Sequence, residues 1–237
     1  MTVGALLDLV FPRSCIACDA GMADGLMCGT CWSRLALLPA PRCERCGHPG
    51  TATDCAYCAA FPAYVRAVRS VCWVPDAAGS AAVHALKYDG WSGIADAMGE
   101  RMARLAWPRD VVDERTALVP IPLARVRERE RGYNQATLLA HALGTRQRLP
   151  VWDQVVSRDR FTQTQTRLTP SERSANVHRA FRVNDTTRSS LIGAHIILVD
   201  DVLTTGSTLN AAAGALFDAG ARIVSYVTFG RARTAAD

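Results

Sequence analysis

The 237-residue sequence has no long uninterrupted apolar segment. Its most apolar run, residues 196–199, meets two aspartates well before the ~20 residues that a membrane-spanning helix requires. The N-terminal stretch has no basic segment, and Asp8 interrupts its apolar residues, so the pattern does not predict a signal peptide. We therefore expect a cytoplasmic protein that does not insert into a membrane.

Charged residues are also few, at 21%, while hydrophobic residues make up 49%, and this composition excludes a disordered chain. The net charge of +5 is spread along the chain, so it permits an anionic ligand without requiring a nucleic acid. Lysine is nearly absent, because Lys87 is the single lysine among 27 basic residues. That isolation makes Lys87 a candidate functional residue, whereas any one arginine is a weak indicator.

Cysteine is absent after Cys72, and eight of the nine cysteines form four CxxC pairs in the first 58 residues. These pairs are Cys15/Cys18, Cys28/Cys31, Cys43/Cys46 and Cys55/Cys58. Two CxxC pairs can supply the four thiolates of one tetrahedral zinc site, so the spacing predicts one or two structural zinc ions. The spacing leaves open whether consecutive pairs share a zinc or whether the first pair combines with the third.

The composition changes near residue 60, which divides the chain into a cysteine-rich zinc-binding domain, residues 1–65, and a larger domain, residues 66–237. So small an N-terminal domain cannot bury enough surface to fold alone, and bound metal would supply the missing stability. Residues 3–11 have the apolar spacing of a short helix.

Strand and helix patterns alternate in the larger domain. We predict strands over residues 65–74, 117–122, 151–156, 195–199 and 222–229, and helices over residues 80–88, 94–107, 134–148 and 207–219. Strands separated by helices indicate an α/β fold with a parallel sheet flanked by helices.

The most informative segment runs from the apolar strand 196–199 through Asp200 and Asp201 to a small, hydroxyl-rich turn at residues 204–208. Gly206 allows close approach of a ligand, and the N-terminus of the following helix suits a phosphate. Hydroxyls of Thr205, Ser207 and Thr208 add hydrogen bonds, and the two acids suit the paired hydroxyls of a ribose. The segment therefore predicts a ribose-5-phosphate site.

Two common nucleotide-binding patterns, the Walker A motif and GxGxxG, are absent from the chain. An alternative interpretation is a strand, turn and helix whose hydroxyls only cap the helix. Capping requires one hydroxyl and explains neither Asp200 nor Asp201, so we favour the phosphate site.

Residues 200–208 resemble the phosphoribosyl pyrophosphate (PRPP) loop of type I phosphoribosyltransferases. The wider chain resembles the ComF/GntX family of competence-associated proteins, through the CxxC pairs and four further segments. These segments are residues 86–88 (LKY), 119–122 (VPIP), 129–135 (RERGYNQ) and 176–181. The resemblance implies a Rossmann-like type I phosphoribosyltransferase core behind an N-terminal zinc finger. It also implies PRPP and Mg²⁺ as ligands, and a role in natural transformation with single-stranded DNA and competence-machinery proteins as partners.

The resemblance also implies roles for individual residues. The residues that would bind PRPP are Asp200, Asp201, Thr204, Thr205, Gly206, Ser207 and Thr208, together with Arg127 and Arg131. The residues that would act in catalysis at the diphosphate are Asp200, Asp201, Arg125 and Lys87. A lid over residues 158–176 would contribute Thr164, Gln165, Arg167 and Arg173. The alternative for residues 125–131 is a solvated helix face, because glutamates alternate with the arginines.

The loop departs from several nucleobase-transferring enzymes of the superfamily at Thr204, where those enzymes carry an aspartate base. The loop therefore supplies no general base, and a 6-oxopurine acceptor is disfavoured. The first hypothesis is phosphoribosyl transfer, a reaction of nucleotide metabolism. Two other functions are alternatives to it. One is a non-catalytic DNA-uptake module that keeps the PRPP fold for ligand sensing or strand binding, and the other is a zinc-ribbon nucleic-acid binder with an α/β scaffold.

Overall fold

The structure is a computed structural model that describes residues 13–50, 55–158 and 180–233. Its centre is a four-stranded sheet in which every strand pair is parallel. The strands are β1 (Val65–Val74), β2 (Arg115–Pro120), β5 (His195–Leu203) and β6 (Ile223–Ala232), in the order β1-β6-β5-β2, while β3 (Val156–Arg158) and β4 (Phe181–Val183) form a separate antiparallel ribbon. The predicted α/β class is therefore confirmed.

Helices connect the strands and cover both faces of the sheet. They are α1 (Gly29–Ser33), α2 (Ala77–Lys87), α3 (Ile94–Ala103), α4 (Arg109–Glu114), α5 (Arg125–Arg131), α6 (Gln135–Gln147), α7 (Arg188–Leu191) and α8 (Ser207–Asp218), with 3-10 turns at Ala56–Ala60 and Asp185–Thr187. Side-chain caps start two of the longer helices, since Asp76 accepts from Gly79 N–H and Asn134 accepts from Ala136 N–H. Within the described ranges, no helix is both long and apolar enough to cross a membrane.

Two apolar cores lie on opposite faces of the sheet. Ile196 and Leu198 of β5 face a core that α8 covers, whereas Ile197 and Val199 face the core formed with α2, α3 and α6. All four of these side chains are fully buried. This burial on both faces explains why the strand reads as a continuous apolar run rather than an alternating one.

The cysteine-rich segment pairs with the free edge of β1. Trp73 N–H donates to Ala36 O over 2.8 Å, and Val68 N–H donates to Arg45 O over 2.8 Å. β1 begins at Val65, where the predicted boundary between residues 1–65 and 66–237 falls, and that boundary remains a prediction. The N-terminal part of the described chain thus extends the sheet instead of standing apart from it.

Most predicted elements lie within a few residues of the observed ones, with two exceptions. The predicted helix 94–107 is too long, because α3 ends at Ala103 and residues 105–108 leave the helix. The predicted strand 151–156 is wrong in extent, because Val151 makes a single parallel bridge to Leu118 and a turn at residues 153–154 separates it from β3. The helix predicted over residues 3–11 lies outside the described residues.

His195, the first residue of β5, gives a test of this packing. It is 1% exposed, and its Nε2 lies 2.9 Å from Ser225 Oγ. Burial lowers the pKa of His195 from 6.5 to about 4, although Glu114, with Oε2 4.0 Å from Nδ1, acts in the opposite direction. Because the unfolded chain gains a proton below pH ~6.5 and the folded chain does not, this residue should reduce the free energy of unfolding by about 2 kcal/mol between pH 7 and pH 4.5.

Urea unfolding at both pH values measures this contribution. His195→Gln keeps an amide that can bond to Ser225, and it should lose less stability on acidification than the wild type does. His141→Gln changes an exposed histidine and should lose as much as the wild type. Equal losses in the wild type and His195→Gln would contradict the prediction.

Candidate functional site

The eight cysteines of the CxxC pairs form two separate clusters. Within each cluster all four Sγ atoms lie within 4.8 Å of one another, and the sets are Cys15, Cys18, Cys28 and Cys31, then Cys43, Cys46, Cys55 and Cys58. Tetrahedral zinc with Zn–S bonds of ~2.3 Å keeps its sulfur ligands ~3.8 Å apart. The Sγ atoms of Cys18 and Cys28 lie 3.8 Å apart, and those of Cys43 and Cys58 lie 3.5 Å apart. Consecutive pairs therefore share a site, and both clusters fit structural zinc.

Backbone amides around the clusters favour the thiolate form that binds zinc. Cys28 N–H donates to Cys15 Sγ over 3.3 Å. Burial acts to raise the pKa of Cys43, but hydrogen bonds from the backbone of Cys46 and Arg45 and from Cys58 outweigh it and lower the pKa to about 7. The pKa of Cys46 and that of Cys58 are raised instead, chiefly by burial, so this effect does not extend to every sulfur of the cluster.

The turn at residues 204–208, called the phosphate loop below, joins β5 to α8. Gly206 has φ +80° and precedes α8, and a Cβ at this position would lie 3.4 Å from Phe61 Cε1. The positive φ therefore favours glycine here, and Phe61 lies in van der Waals contact with this position. Thr204, Thr205 and Ser207 are exposed, so their hydroxyls face solvent.

The geometry does not support helix capping as the sole role of these hydroxyls. The N-cap of α8 is a glycine, and the one capping contact, from Ser207 N–H to Thr205 Oγ1, is long at 3.4 Å. The structure describes the whole first turn of α8, and this turn contains no acidic side chain. The N-terminus of this 12-residue helix can therefore receive an anion.

The two acids after the buried strand have different surroundings. Asp201 is 3% exposed; its Oδ2 forms an ion pair with Lys87 Nζ, and its Oδ1 accepts from Gln135 Nε2 over 3.4 Å. Asp200 is partly exposed, and its Oδ1 accepts from Asp201 N–H over 2.8 Å. Restricted access of solvent to the carboxyl group, and then the negative charge of Asp201, raise the pKa of Asp200 well above its usual value, against the opposing effect of Lys87. Asp200 is thus the more accessible acid, and Asp201 is engaged within the chain.

Lys87 reaches the site because α2 ends beside the carboxyl end of β5. The hydroxyl of Tyr133 donates to Leu86 O over 2.6 Å and secures this end of the helix. The structure thus brings the single lysine to the predicted acids. Its pairing with Asp201 was not predicted, because nothing in the local pattern of either residue refers to the other.

The arginines of α5 divide into two groups. Arg125 and Arg127 are exposed, as the solvated-face alternative expects. Arg131 donates to Gln135 Oε1, and its guanidinium lies 5.6 Å from the centre of the Tyr88 ring. Since Gln135 also contacts Asp201, Arg131 belongs to the cluster around Lys87.

Arg158, at the end of β3, is a site residue that the sequence analysis did not single out as a contact. Burial, and then the charge of Arg127, lower the pKa of Arg158, while Asp200 acts in the opposite direction. The charges of Arg127 and Asp200 thus act on Arg158, whose guanidinium lies 5.5 Å from the centre of the Phe181 ring. The only signal in the sequence was the position of Arg158 at the start of the predicted lid. The other candidate contacts of that lid, Thr164, Gln165, Arg167 and Arg173, lie outside the described residues.

A second concave surface, called the tryptophan groove below, runs between the first cysteine cluster and the segment after α3. It encloses about 890 Å³, and its lining includes Trp32, Trp107, Arg42, Arg69, Arg101 and Arg104. The Arg101 guanidinium lies 3.6 Å from the centre of the Trp32 ring. Among the described residues, Trp107 Nε1 is buried without a hydrogen-bond partner. The sequence analysis missed this groove because its two tryptophans are far apart in the chain.

Family models match both halves of the chain. A double zinc ribbon domain matches residues 6–62, and a phosphoribosyl transferase domain matches residues 130–237. With the parallel sheet and the two four-cysteine clusters, these matches define a phosphoribosyltransferase-like protein that carries an N-terminal double zinc ribbon.

Relatives that span most of the chain identify its family. The DNA utilization protein YhgH of Escherichia coli (strain K12) is 32% identical over 228 residues, covering 91% of this chain and 96% of the relative. Competence protein ComFC of Bacillus subtilis (strain 168) is 30% identical over 204 residues, covering 83% and 80%. Competence protein F of Haemophilus influenzae is 39% identical over 94 residues, covering 40% and 41%. The chain belongs to the family of competence protein F, ComFC and YhgH.

Solved structures with a similar fold are more distant. The glutamine PRPP amidotransferase from B. subtilis is 16% identical, covers 56% of this chain and 25% of its own, and has a TM-score of 0.38. The purine phosphoribosyltransferase from Pyrococcus horikoshii is 17% identical, covers 59% and 84%, and has a TM-score of 0.32. These likenesses concern the fold alone.

The two clusters predict a zinc content of two ions per chain. Cys31→Ser and Cys46→Ser each remove one buried ligand from one cluster, and each variant should retain about one zinc, because three thiolates bind the ion more weakly than four. Elemental analysis of the purified proteins measures the ratio. Cys72→Ala alters a buried cysteine of β1 outside both clusters and should keep two zinc ions. Two retained ions in Cys46→Ser would contradict the assignment of the second cluster.

Proposed function

We propose that this chain binds PRPP with Mg²⁺ at the carboxyl end of β5 and transfers or holds its 5-phosphoribosyl group during DNA utilization. The proposal rests on the meeting of three features at one edge of the sheet: the phosphate loop, Asp200, and the Lys87–Asp201 pair. Open α/β sheets bind their ligands beyond the carboxyl ends of the strands. The relatives named for competence and DNA utilization support the cellular role.

The phosphate loop would hold the 5′-phosphate. The backbone amides at the start of α8 and the exposed hydroxyls of Thr205 and Ser207 would donate to the phosphate oxygens. The positive end of the helix adds roughly 0.3–2 kcal/mol for an anion. The positive φ of Gly206 gives the turn that leads the chain from β5 into α8.

The acids would have separate roles. Asp200, which is partly exposed, would accept hydrogen bonds from the ribose hydroxyls. Both acids were predicted to contact the ribose. We propose this role for Asp200 alone, because Asp201 is buried and paired with Lys87. Asp201 would position the Lys87 ammonium and leave about two of its three N–H donors for the diphosphate.

In a transfer reaction the bond from ribose C1 to the pyrophosphate oxygen breaks, and an acceptor atom forms a bond to C1. Arg125, Arg127 and Lys87 would stabilise the negative charge on the departing pyrophosphate. Mg²⁺, when bound, would offset diphosphate charge, and the hard oxygen donors of Asp200 and of PRPP itself suit this ion. Because Thr204 replaces a carboxylate base in the loop, the acceptor proton would pass to solvent.

Replacing Asp200 with Asn should weaken PRPP binding in the presence of Mg²⁺ by about 10- to 100-fold, because a charged hydrogen-bond acceptor is lost. Isothermal titration calorimetry measures the affinity. Wild-type affinity should also fall as the pH is lowered, beginning at higher pH than for an ordinary carboxyl, since the pKa of Asp200 is raised. The Asp200→Asn variant should lose this part of the pH dependence.

Asp218→Asn provides the matched control, because Asp218 is an exposed acid at the opposite end of α8. Its affinity for PRPP should equal that of the wild type. Unchanged affinity in Asp200→Asn would overturn the proposed site. Release of pyrophosphate from PRPP with a mixture of acceptors then separates a transferase from a protein that binds PRPP without turnover.

A second candidate function, binding of single-stranded DNA, is favoured by the tryptophan groove. Exposed bases stack on aromatic side chains, and the backbone phosphates pair with arginines. The groove combines Trp32 and Trp107 with arginines, of which Arg104 is the most accessible, while Arg69 is buried and donates to backbone carbonyls. Such a site would place DNA beside the zinc ribbons, away from the phosphate loop.

Trp107→Ala should weaken binding of a labelled oligothymidylate by about tenfold, because one stacking surface is lost. Fluorescence anisotropy at two salt concentrations measures the affinity and its salt dependence. Trp91→Ala removes a tryptophan that is 49% exposed and lies outside the groove lining, so it should bind as the wild type does. Equal losses in the two variants would show that the groove has no special role.

A further inference from the structure

The second four-cysteine cluster is joined directly to the phosphate loop. The chain leaves Cys58 through the 3-10 turn Ala56–Ala60 and reaches Phe61, whose N–H donates to Cys58 O over 3.2 Å. Phe61 is 7% exposed, and its Cε1 is the nearest atom, at 3.4 Å, to the place where Gly206 would carry a Cβ. Phe61, which follows shortly after the last cysteine of the second cluster, therefore lies directly under the turn of the phosphate loop.

Asn210, in the first turn of α8, makes a second connection. Its Nδ2 donates to Ala60 O over 2.8 Å, its Oδ1 accepts from Tyr226 OH over 3.0 Å, and its backbone N–H donates to Gly206 O over 2.8 Å. The Asn210 side chain thus links the zinc ribbon to the sheet, and its backbone N–H makes the contact to the loop.

Arg45, which lies between two ligands of the second cluster, makes this end of the ribbon rigid. Its guanidinium donates to Cys58 O, Phe61 O and Pro62 O, the last two over 2.9 and 2.7 Å. Because Arg45 lies between Cys43 and Cys46, it joins the second cluster to the segment that carries Phe61.

The first cluster has no comparable contact among the described residues. Cys15 and Cys31 are buried in the core on the α2 and α3 face of the sheet, whereas Cys46 and Phe61 belong to the core that α8 covers. The two zinc sites therefore differ in what they support.

We propose that zinc bound at the second cluster, Cys43, Cys46, Cys55 and Cys58, stabilises the conformation of the phosphate loop. Asn210 and Phe61 are the positioning residues that connect this cluster to the loop. Zinc at this cluster holds residues 204–208 in the form that binds the phosphate, and zinc at the first cluster does not. The inference about ligand affinity rests on the proposed function, but the effect on the loop does not.

The first experiment measures the loop without a ligand. Hydrogen–deuterium exchange of the amides of residues 204–210 should be faster in Cys58→Ser than in the wild type. It should be unchanged in Cys18→Ser, which removes a ligand of the first cluster. Equal exchange in all three proteins, or equal acceleration in both variants, would overturn the proposal.

A variant that retains both zinc ions guards against simple unfolding. Asn210→Ala should keep a zinc content of two but show faster exchange at residues 204–208, and weaker PRPP binding by about 2- to 10-fold, as expected for the loss of hydrogen bonds. Asn184→Ala removes an asparagine that caps the remote turn Asp185–Thr187 and should change neither quantity. Wild-type exchange and affinity in Asn210→Ala would contradict the role of Asn210.

The second experiment uses the reciprocity of linked binding. Saturating PRPP with Mg²⁺ should raise the zinc affinity of the second cluster by about fivefold or more in the wild type, as measured by the extent of zinc removal at equilibrium with a competing chelator. This effect should be lost in Asn210→Ala, whereas the zinc affinity of the first cluster should not respond to PRPP. A merely structural role of Asn210 would leave the response to PRPP intact.

The two experiments distinguish failure of the inference from failure of the proposed function. If PRPP does not bind the wild-type protein, the proposed function fails, and the exchange measurements still decide whether the second zinc site controls the loop. If PRPP binds but neither exchange nor zinc removal is coupled to it, the inference fails and the proposed function stands.

Discussion

The docking of the cysteine-rich segment along β1 is the contact on which the rest of this structure depends. A parallel sheet with an open edge would expose unpaired backbone groups, and the hydrogen bonds from Val68 and Trp73 to this segment cover that edge. So short a segment requires its metal ions to hold a defined shape. Cysteines of the two clusters are buried in opposite cores, so each metal site shares buried residues with one face of the α/β sheet.

The Lys87–Asp201 pair plays a comparable part at the candidate ligand site. Removing two charges from water costs much of what their attraction returns, so a largely buried pair contributes little net stability. The effect of the pair is to position the Lys87 ammonium group. The pair holds the single lysine at the carboxyl end of β5, and Gln135 extends the contact to Arg131, so that cations gather where an anionic ligand would lie. Asp200 lies outside this pair and is partly exposed.

The zinc ribbons contact both candidate ligand surfaces. Trp32, next to Cys31 of the first cluster, lines the tryptophan groove, and Phe61, just after the second cluster, supports the phosphate loop. The two halves of the cysteine-rich segment therefore lie against different candidate surfaces.

The sequence predicted those features whose cause is local. Residues 196–208 indicated a buried strand, a turn and a helix, because burial on both faces, a glycine with positive φ and a helix start leave their marks within a few neighbouring positions. The CxxC spacing likewise identified all eight cysteine ligands, since each zinc knuckle is a tight turn of the chain.

Other features were decided only by the tertiary structure. The sharing of zinc between consecutive CxxC pairs, the Lys87–Asp201 pair, the tryptophan groove and the bond from Asn210 to Ala60 all join residues that are distant along the chain. Such contacts arise from the order of the strands and from the docking of the ribbons on β1. Neither leaves a periodic pattern in the sequence, because the order of packing depends on the free energy of the whole core rather than on any short segment.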